Sequence, residues 1–168
     1  MLKPPISQEG WAEVRARDRV VRYRRTGTGP IVLLLAHEDT RLRDGLVRTL
    51  SENFRLLDPD MAETEIKVAE CLAEFLEGLG TTTVNVVAVG RFCIPAIELA
   101  LRDGDGDQIG RVVLIPDGEE CEAASEGAIA TTSPRISMPL LIVRGVAPAA
   151  VLPLVSQFLS ESRSSRVG

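Results

Sequence analysis

Six residues at a change of local pattern decide the fold of this chain, and they read Val89-Gly90-Arg91-Phe92-Cys93-Ile94. The run before them, residues 84–89, is short, apolar and rich in β-branched side chains, which is typical of a strand buried on both faces. Residues 95–101 then follow a helical pattern. The stretch therefore predicts a tight strand–turn–helix corner, with Gly90 at its start.

The bulk composition is that of an ordinary globular protein. The chain has 168 residues, of which 45% are hydrophobic and 26% charged, so we expect a single domain over residues 13–160 with short tails over 1–12 and 161–168. A net charge of −5 argues against nucleic acid as a general partner. No apolar run is long enough to span a bilayer, and the first residues lack the apolar stretch of a signal peptide, so we expect a cytoplasmic protein without membrane partners.

The cysteines give no sign of a metal site or a disulfide framework. Cys71, Cys93 and Cys121 are odd in number and lack the close spacing of metal ligands. We expect no metal and no cofactor.

Strand and helix patterns alternate along most of the chain. The predicted strands cover residues 31–36, 54–57, 84–89, 111–115 and 140–143, and the predicted helices cover 41–50, 62–79, 95–101 and 151–159, with a weaker helical stretch at 119–130. This alternation predicts right-handed crossovers and a mostly parallel, three-layer α/β sheet of about seven strands, in which residues 84–89 are central. The expected core includes Val32, Leu34, Val86, Ala88, Val113, Leu114, Leu141 and Val143.

Arginines crowd the stretch before the first parallel strand. Arg15 and Arg17, and then Arg22 and Arg24, recur with the period of two that is typical of strands. Residues 13–17 and 20–25 are predicted to pair as a hairpin at one edge of the sheet, turning at residues 18–19. Its arginines indicate either a basic docking strip or, as we favour, an edge hairpin protected from pairing with other chains.

Several stretches resemble the α/β-hydrolase fold superfamily, in the same order and over about residues 15–159. Residues 23–37 read YRRTGTGPIVLLLAH, similar to the family's Y-x-x-x-G-x-G-P segment and the strand after it. Residues 54–60 (FRLLDPD), 76–80 (LEGLG), 111–115 (RVVLI) and 138–145 (MPLLIVRG) are similar to later segments. The resemblance implies that the corner at residues 89–94 is the family's nucleophile elbow, G-x-S-x-G.

The chain departs from that family wherever catalysis would need it. Phe92 stands at the nucleophile position, which is the apex of the elbow. Ile94 stands at the second glycine position. The only histidine, His37, matches the oxyanion loop rather than the general base, and Glu38 replaces a glycine of that loop. No carboxylate follows residues 140–143, where the family places the acid of its triad. The resemblance thus implies a degenerate member without a catalytic triad.

The resemblance also implies that the lid and the last strand of the family are missing. Residues 116–137 are short and polar for a lid, and the segment with the last strand and the catalytic histidine has no counterpart. The strand with Leu140, Leu141, Ile142 and Val143 would then form an uncovered edge, which is a candidate interface. We interpret the chain as a catalytically inactive binding, accessory or structural subunit whose protein partner is a second copy or a larger enzyme subunit.

An alternative is a residual hydrolase or a small-ligand receptor. Cys93 adjoins the apex, but its use as nucleophile needs a one-residue shift that puts Arg91 and Pro95 at positions for small residues. A buried structural thiol is the favoured interpretation of Cys93. His37 is a further candidate, as are aspartates predicted at the strand ends, Asp39, Asp58, Asp60 and Asp117, although helix capping or turn formation is the favoured interpretation of these aspartates.

Overall fold

A computed structural model describes residues 10–17, 19–36, 41–60, 67–80, 83–103, 108–116, 119–132, 138–143 and 148–161. In these ranges the strands are β1 (Gly10–Ala16), β2 (Arg19–Thr26), β3 (Ile31–Leu35), β4 (Arg55–Pro59), β5 (Val84–Val89), β6 (Ile109–Ile115) and β7 (Leu140–Ile142). The helices are α1 (Arg41–Leu50), α2 (Val68–Leu79), α3 (Cys93–Arg102), α4 (Glu119–Thr132) and α5 (Pro148–Ser160). None of these described helices is both long and apolar enough to cross a membrane.

All seven strands form one sheet, in the order β1-β2-β4-β3-β5-β6-β7. The strands from β4 through β3, β5 and β6 to β7 are parallel, whereas β1 and β2 join antiparallel at one end. The prediction of a mostly parallel sheet is confirmed, with the hairpin at one edge and β5 at a central position.

Two apolar cores lie on opposite faces of the sheet because residues alternate between the faces along each strand. Along β3, Leu33 and Leu35 belong to one core and Val32 and Leu34 to the other. The first core is completed by α2, α3 and partly buried residues of α4, and the second by α1 and α5. The predicted three-layer architecture is therefore confirmed.

The predicted core residues are buried with one exception. Leu141 is only half-buried, whereas the other predicted positions are almost inaccessible to solvent. Leu141 lies on β7, which pairs with β6 and is the last strand of the sheet in the described residues, so its side chain has neighbours on one side only. Leu141 nevertheless packs against the second core, as a partly buried residue.

The hairpin forms as predicted but is longer. β1 begins at Gly10, which pairs with Arg25, and so the sheet starts inside the predicted tail of residues 1–12. At the other end, Glu161 lies in the predicted tail of residues 161–168 but contacts the sheet through Arg111. The first contact is a strand pairing and the second joins residues that are distant along the chain. Neither follows from the local pattern of apolar residues that set the predicted domain bounds.

Two glycines shape the loop between β2 and β3. Gly27 has φ 84°, and a Cβ atom there would lie 2.4 Å from the carbonyl oxygen of Phe54. Gly29 has φ 121°, and its Cβ would lie 2.3 Å from the carbonyl oxygen of Asn53. The loop approaches the start of β4 so closely that only glycine fits, which explains the spacing of the two glycines in the sequence.

The second predicted helix is confirmed from Val68 onward. It ends at Gly80, whose left-handed backbone lets its N–H donate to the carbonyl of Glu77. Residues 61–66, the predicted first turns, lie outside the described residues. The described helix begins after Lys67, whose side chain forms no cap hydrogen bond, and the capping role of Asp60 before residue 62 stays a prediction.

Candidate functional site

The corner after β5 contains the position that corresponds to the nucleophile in the resemblance to α/β-hydrolases. Residues Gly90–Phe92 form one 3-10 turn that leads directly into α3. Gly90 has φ 62° and takes the turn's positive backbone angle, whereas Phe92 has φ −83° and ψ −6°, close to ordinary helical values. A nucleophile elbow holds its apex residue in a strained conformation. Strain of that kind is absent at Phe92 because the sharp change of direction occurs at Gly90.

The side chain of Phe92 is part of the protein core. Only 6% of the residue is exposed, and it belongs to the core that also contains Phe75 and Leu35. The guanidinium of the exposed Arg91 lies over its ring, 4.9 Å from the centroid. The apex position thus holds an enclosed phenyl ring, which has no lone pair to attack a carbonyl.

Cys93 is also enclosed. The residue is fully buried, and its Sγ atom donates a hydrogen bond to the carbonyl of Ala88 at 3.6 Å. Cys71 is buried as well. A thiol needs access to a substrate and a group that favours the thiolate before it can act as a nucleophile. The geometry matches the structural interpretation of Cys93, and the neighbouring Ile94 is half-buried at the first turn of α3.

Of the four candidate aspartates, two lie in the described residues and they differ in environment. The carboxylate of Asp58, at the end of β4, is paired with the guanidinium of Arg43 on α1, and both side chains are largely buried. Asp60 is exposed, and its backbone N–H donates to the carbonyl of Arg22. In the described ranges no three histidine, cysteine, aspartate or glutamate residues come close enough to hold a metal ion.

The remaining candidate site residues fall outside the described residues. These are His37 and Glu38 of the predicted oxyanion loop, and the aspartates Asp39 and Asp117. The described part of the site is therefore the corner with Phe92 and Cys93, together with the Arg43–Asp58 pair.

Among the described strands, the predicted interface strand is the last of the sheet, at the end opposite the hairpin. Leu140, Leu141 and Ile142 are each half-buried, and Val143 is 5% exposed. On one side the strand is bonded to β6: the N–H of Val143 donates to the carbonyl of Leu114 at 2.9 Å. The strand forms where the sequence predicted it, and its role as an interface stays a prediction.

In the part of the chain that the structure describes, three polar residues are buried that the sequence did not indicate: Arg43, Arg111 and Ser125. Arg111 lies within β6, where its guanidinium donates to the carbonyl of Glu161 at 2.8 Å and lies over the ring of Phe158, with 5.2 Å to the centroid. A charged residue in an otherwise apolar strand is a signal that could have drawn attention to Arg111. The distant partner Glu161 gives no such signal.

Comparison of the structure with solved structures identifies the fold. A bromoperoxidase from Bacillus anthracis superposes with a TM-score of 0.53 at 20% identity, over 63% of this chain and 44% of that protein. The epoxide hydrolase VrEH1 from Vigna radiata gives 0.54 at 18% identity, over 68% of this chain and 42% of that one. A serine hydrolase involved in carbazole degradation gives 0.59 at 12% identity, over 80% and 78%.

These proteins share the α/β-hydrolase fold, and the described strands and helices of the present chain have the same fold. The chain spans less than half the length of the bromoperoxidase and of the epoxide hydrolase that it matches. No protein-family model and no curated protein sequence matches the chain.

Proposed function

We propose that this chain is an α/β-hydrolase-fold protein without hydrolytic activity, which acts as a binding, accessory or structural subunit of a protein complex. The observation that carries the proposal is the buried phenyl ring of Phe92 at the apex of the corner after β5. In an active hydrolase this position presents the attacking atom to the substrate. A ring packed into the core can neither attack nor leave room for a substrate at that point.

The other candidate catalytic groups in the described residues are engaged in structural contacts. The reaction needs a nucleophile, a base that takes its proton and an acid that orients the base. Cys93 is fully buried and bonded to a backbone carbonyl, and the carboxylate of Asp58 is held by Arg43. These contacts argue against the alternative in which Cys93 or Asp58 supports a residual hydrolase.

The proposed partner surface is the edge of the sheet at β7 together with the neighbouring helix α5. The side chains of Leu140 and Ile142 reach one core and that of Leu141 the other, yet all three stay half-buried. Leu154 on α5 is 46% exposed. An edge strand with apolar side chains offers backbone donors and acceptors to another chain. The partner that we propose is a second copy or a larger enzyme subunit in the cytoplasm, rather than a nucleic acid or a membrane.

Two measurements on the same purified protein test the proposal. The first follows hydrolysis of a chromogenic short-chain ester and labelling by a fluorophosphonate, with an active serine hydrolase as the positive control. The second is native mass spectrometry of the isolated protein, and of the protein purified from its source organism together with any bound partner. We expect no turnover above background and a stable complex. Turnover that His37→Ala or Cys93→Ala removes would contradict the absence of activity, and a monomer without co-purifying protein would contradict the role in assembly.

A further inference from the structure

One face of the β1–β2 hairpin packs against α2, and its opposite face is exposed to solvent. Because side chains alternate, Ala16, Val21 and Tyr23 point into the core beside α2. The opposite set forms what we call the hairpin face, and it consists of Trp11, Glu13, Arg15, Val20, Arg22 and Arg24. Trp11 is 43% exposed and Val20 61% exposed, and in the described residues only Leu154 is a further large hydrophobic residue with such exposure. Apolar and basic side chains are thus combined on one solvent-facing surface.

Two arginines of this face stack on the tryptophan. The guanidinium carbon of Arg22 lies 4.6 Å from the ring centroid of Trp11, and that of Arg24 lies 4.9 Å from it. The contact follows from the register, which pairs Trp11 with Arg24 across the two strands. A guanidinium that stacks through its plane keeps the N–H groups at its edge available for oxygen acceptors. Trp11 therefore orients two fork-shaped donors in advance.

The arginines of the hairpin divide into two groups by their partners. Arg17 and Arg19, near the turn, reach Glu74 of α2 at 3.8 and 3.9 Å. In contrast, no carboxylate of the described residues forms an ion pair with Arg15, Arg22 or Arg24. The hairpin face therefore carries three guanidinium groups against one carboxylate, that of Glu13, on a chain whose net charge is −5. A local positive surface on an acidic protein is complementary to an anionic partner.

The spacing of the donors fits an extended acidic peptide. Arg22 and Arg24 lie two residues apart on one strand, which places their Cα atoms about 6.8 Å apart. An extended chain with carboxylates at every second residue repeats at the same distance. A long polyanion such as a nucleic acid would extend beyond this face and be repelled by the net negative charge of the protein. A short acidic segment would contact the hairpin face alone.

We propose that the hairpin face is a docking surface for an extended acidic segment of another protein, with carboxylates at alternate positions bound by Arg22 and Arg24 beside Trp11. The proposal goes beyond the function argued above. It concerns the opposite edge of the sheet from β7, and it does not depend on the absence of hydrolysis.

The test uses the only tryptophan of the chain as its probe. A short peptide of alternating glutamate and serine is titrated while the fluorescence of Trp11 is recorded, and the titration is repeated with glutamine in place of glutamate and with a single-stranded oligonucleotide of similar charge. We expect the glutamate peptide to change the fluorescence and to bind at least about tenfold more tightly than both other probes. Equal binding of the glutamine peptide, or tighter binding of the oligonucleotide, would overturn the proposal.

Charge-matched variants locate the binding surface. Arg22→Gln/Arg24→Gln should weaken binding of the glutamate peptide, followed through a label on the peptide, by about tenfold or more. Arg48→Gln/Arg102→Gln removes the same charge from exposed positions on α1 and α3 and should change binding by less than about twofold. Arg22→Lys/Arg24→Lys keeps the charge without the fork and should lie between them. Circular dichroism confirms folding of each variant, and equal losses in the two glutamine variants would refute a site at the hairpin.

Discussion

The Sγ atom of Cys93 lies 3.6 Å from the carbonyl oxygen of Ala88 and donates a hydrogen bond to it. The bond ties the first turn of α3 back to β5, the central strand, across the corner that contains Phe92. Cys93 is fully buried, and so the thiol has a structural partner and no path to a substrate. At this corner the residues that an active hydrolase would expose are used for packing.

The first prediction concerns the reactivity of Cys93. In a Cys121→Ser variant, the two remaining thiols, of Cys71 and Cys93, are both buried. They should react with a disulfide reagent at least about a hundredfold more slowly than in guanidinium, because the reagent reaches them only when the protein opens. The measurement is the absorbance of the released thiolate over time. Rapid modification of one thiol in the native protein, identified as Cys93 by mass spectrometry, would contradict its burial.

The second prediction concerns Phe92. Truncation to alanine removes a phenyl ring from the core that α2 and α3 cover, so Phe92→Ala should lower the free energy of unfolding by about 3–5 kcal/mol. Arg91→Ala removes only the exposed cation above the ring and should cost less than about 1 kcal/mol. Urea denaturation of the three proteins gives both values. A loss below about 1 kcal/mol for Phe92→Ala would show that the ring contributes little to the core.

The same position allows a test of chemistry. Phe92→Ser restores the hydroxyl at the apex of the corner, yet we expect no ester hydrolysis, because the only histidine of the chain precedes α1 instead of following the last strand. Its comparison is Phe92→Ala, which creates the same space without the hydroxyl. Turnover by the serine variant alone would contradict the argument that the general base is missing.

Local patterns were sufficient to predict most of the sheet. β5 was predicted to the residue because its apolar run ends at Gly90, where the backbone takes a positive φ. β6 begins earlier than predicted, at Ile109, since the carboxylate of Asp103 accepts hydrogen bonds from the N–H groups of Gln108 and Ile109. The side chain of Asp103 fixes the start of this strand from the end of the preceding helix. The periodicity of apolar residues in the sequence does not indicate such a contact.

The candidate site was harder to predict than the fold. The sequence identified Phe92 as the apex residue, and the resemblance to a known fold was necessary for that assignment. Burial of Arg43 and Arg111 depends on Asp58 and Glu161, fifteen and fifty residues away along the chain. Partners at such separations are brought together only by the packing of α1 and α5 on the sheet, and no local pattern encodes them.

The third prediction uses the two carboxylates near Arg43. Asp58 is paired with it in a largely buried position, and Asp44 lies 3.9 Å from it with an exposed side chain. Asp58→Asn should cost about 3 kcal/mol of unfolding free energy because it removes the charge of the largely buried carboxylate that pairs with the buried guanidinium of Arg43. Asp44→Asn should cost less than about 1 kcal/mol. Chemical denaturation measures both, and equal effects would mean that Arg43 is solvated in the native protein.

The fourth prediction compares two glycines. Gly27→Ala places a Cβ against the carbonyl oxygen of Phe54 at a positive φ, so it should destabilise the protein by more than about 1 kcal/mol. Gly127 lies inside α4 with open space around its Cα, and Gly127→Ala should stabilise by about 0.5–1 kcal/mol. Thermal unfolding should therefore show shifts of opposite sign. A shift of the same sign for both would contradict the close approach of the β2–β3 loop to β4.

The last prediction concerns assembly at β7. If the edge strand pairs with a partner, the purified complex should bury more than about 1,000 Å² of surface and dissociate when the edge is charged. Ile142→Lys introduces an ammonium group at this edge, whereas Asn53→Lys introduces the same group at an exposed position before β4, outside both proposed surfaces. Sedimentation equilibrium should show dissociation only for Ile142→Lys, with native circular dichroism in both variants. Backbone amides of Leu140–Ile142 should exchange faster upon dissociation. A wild-type protein that is monomeric at micromolar concentration and has no co-purifying partner would rule out this interface.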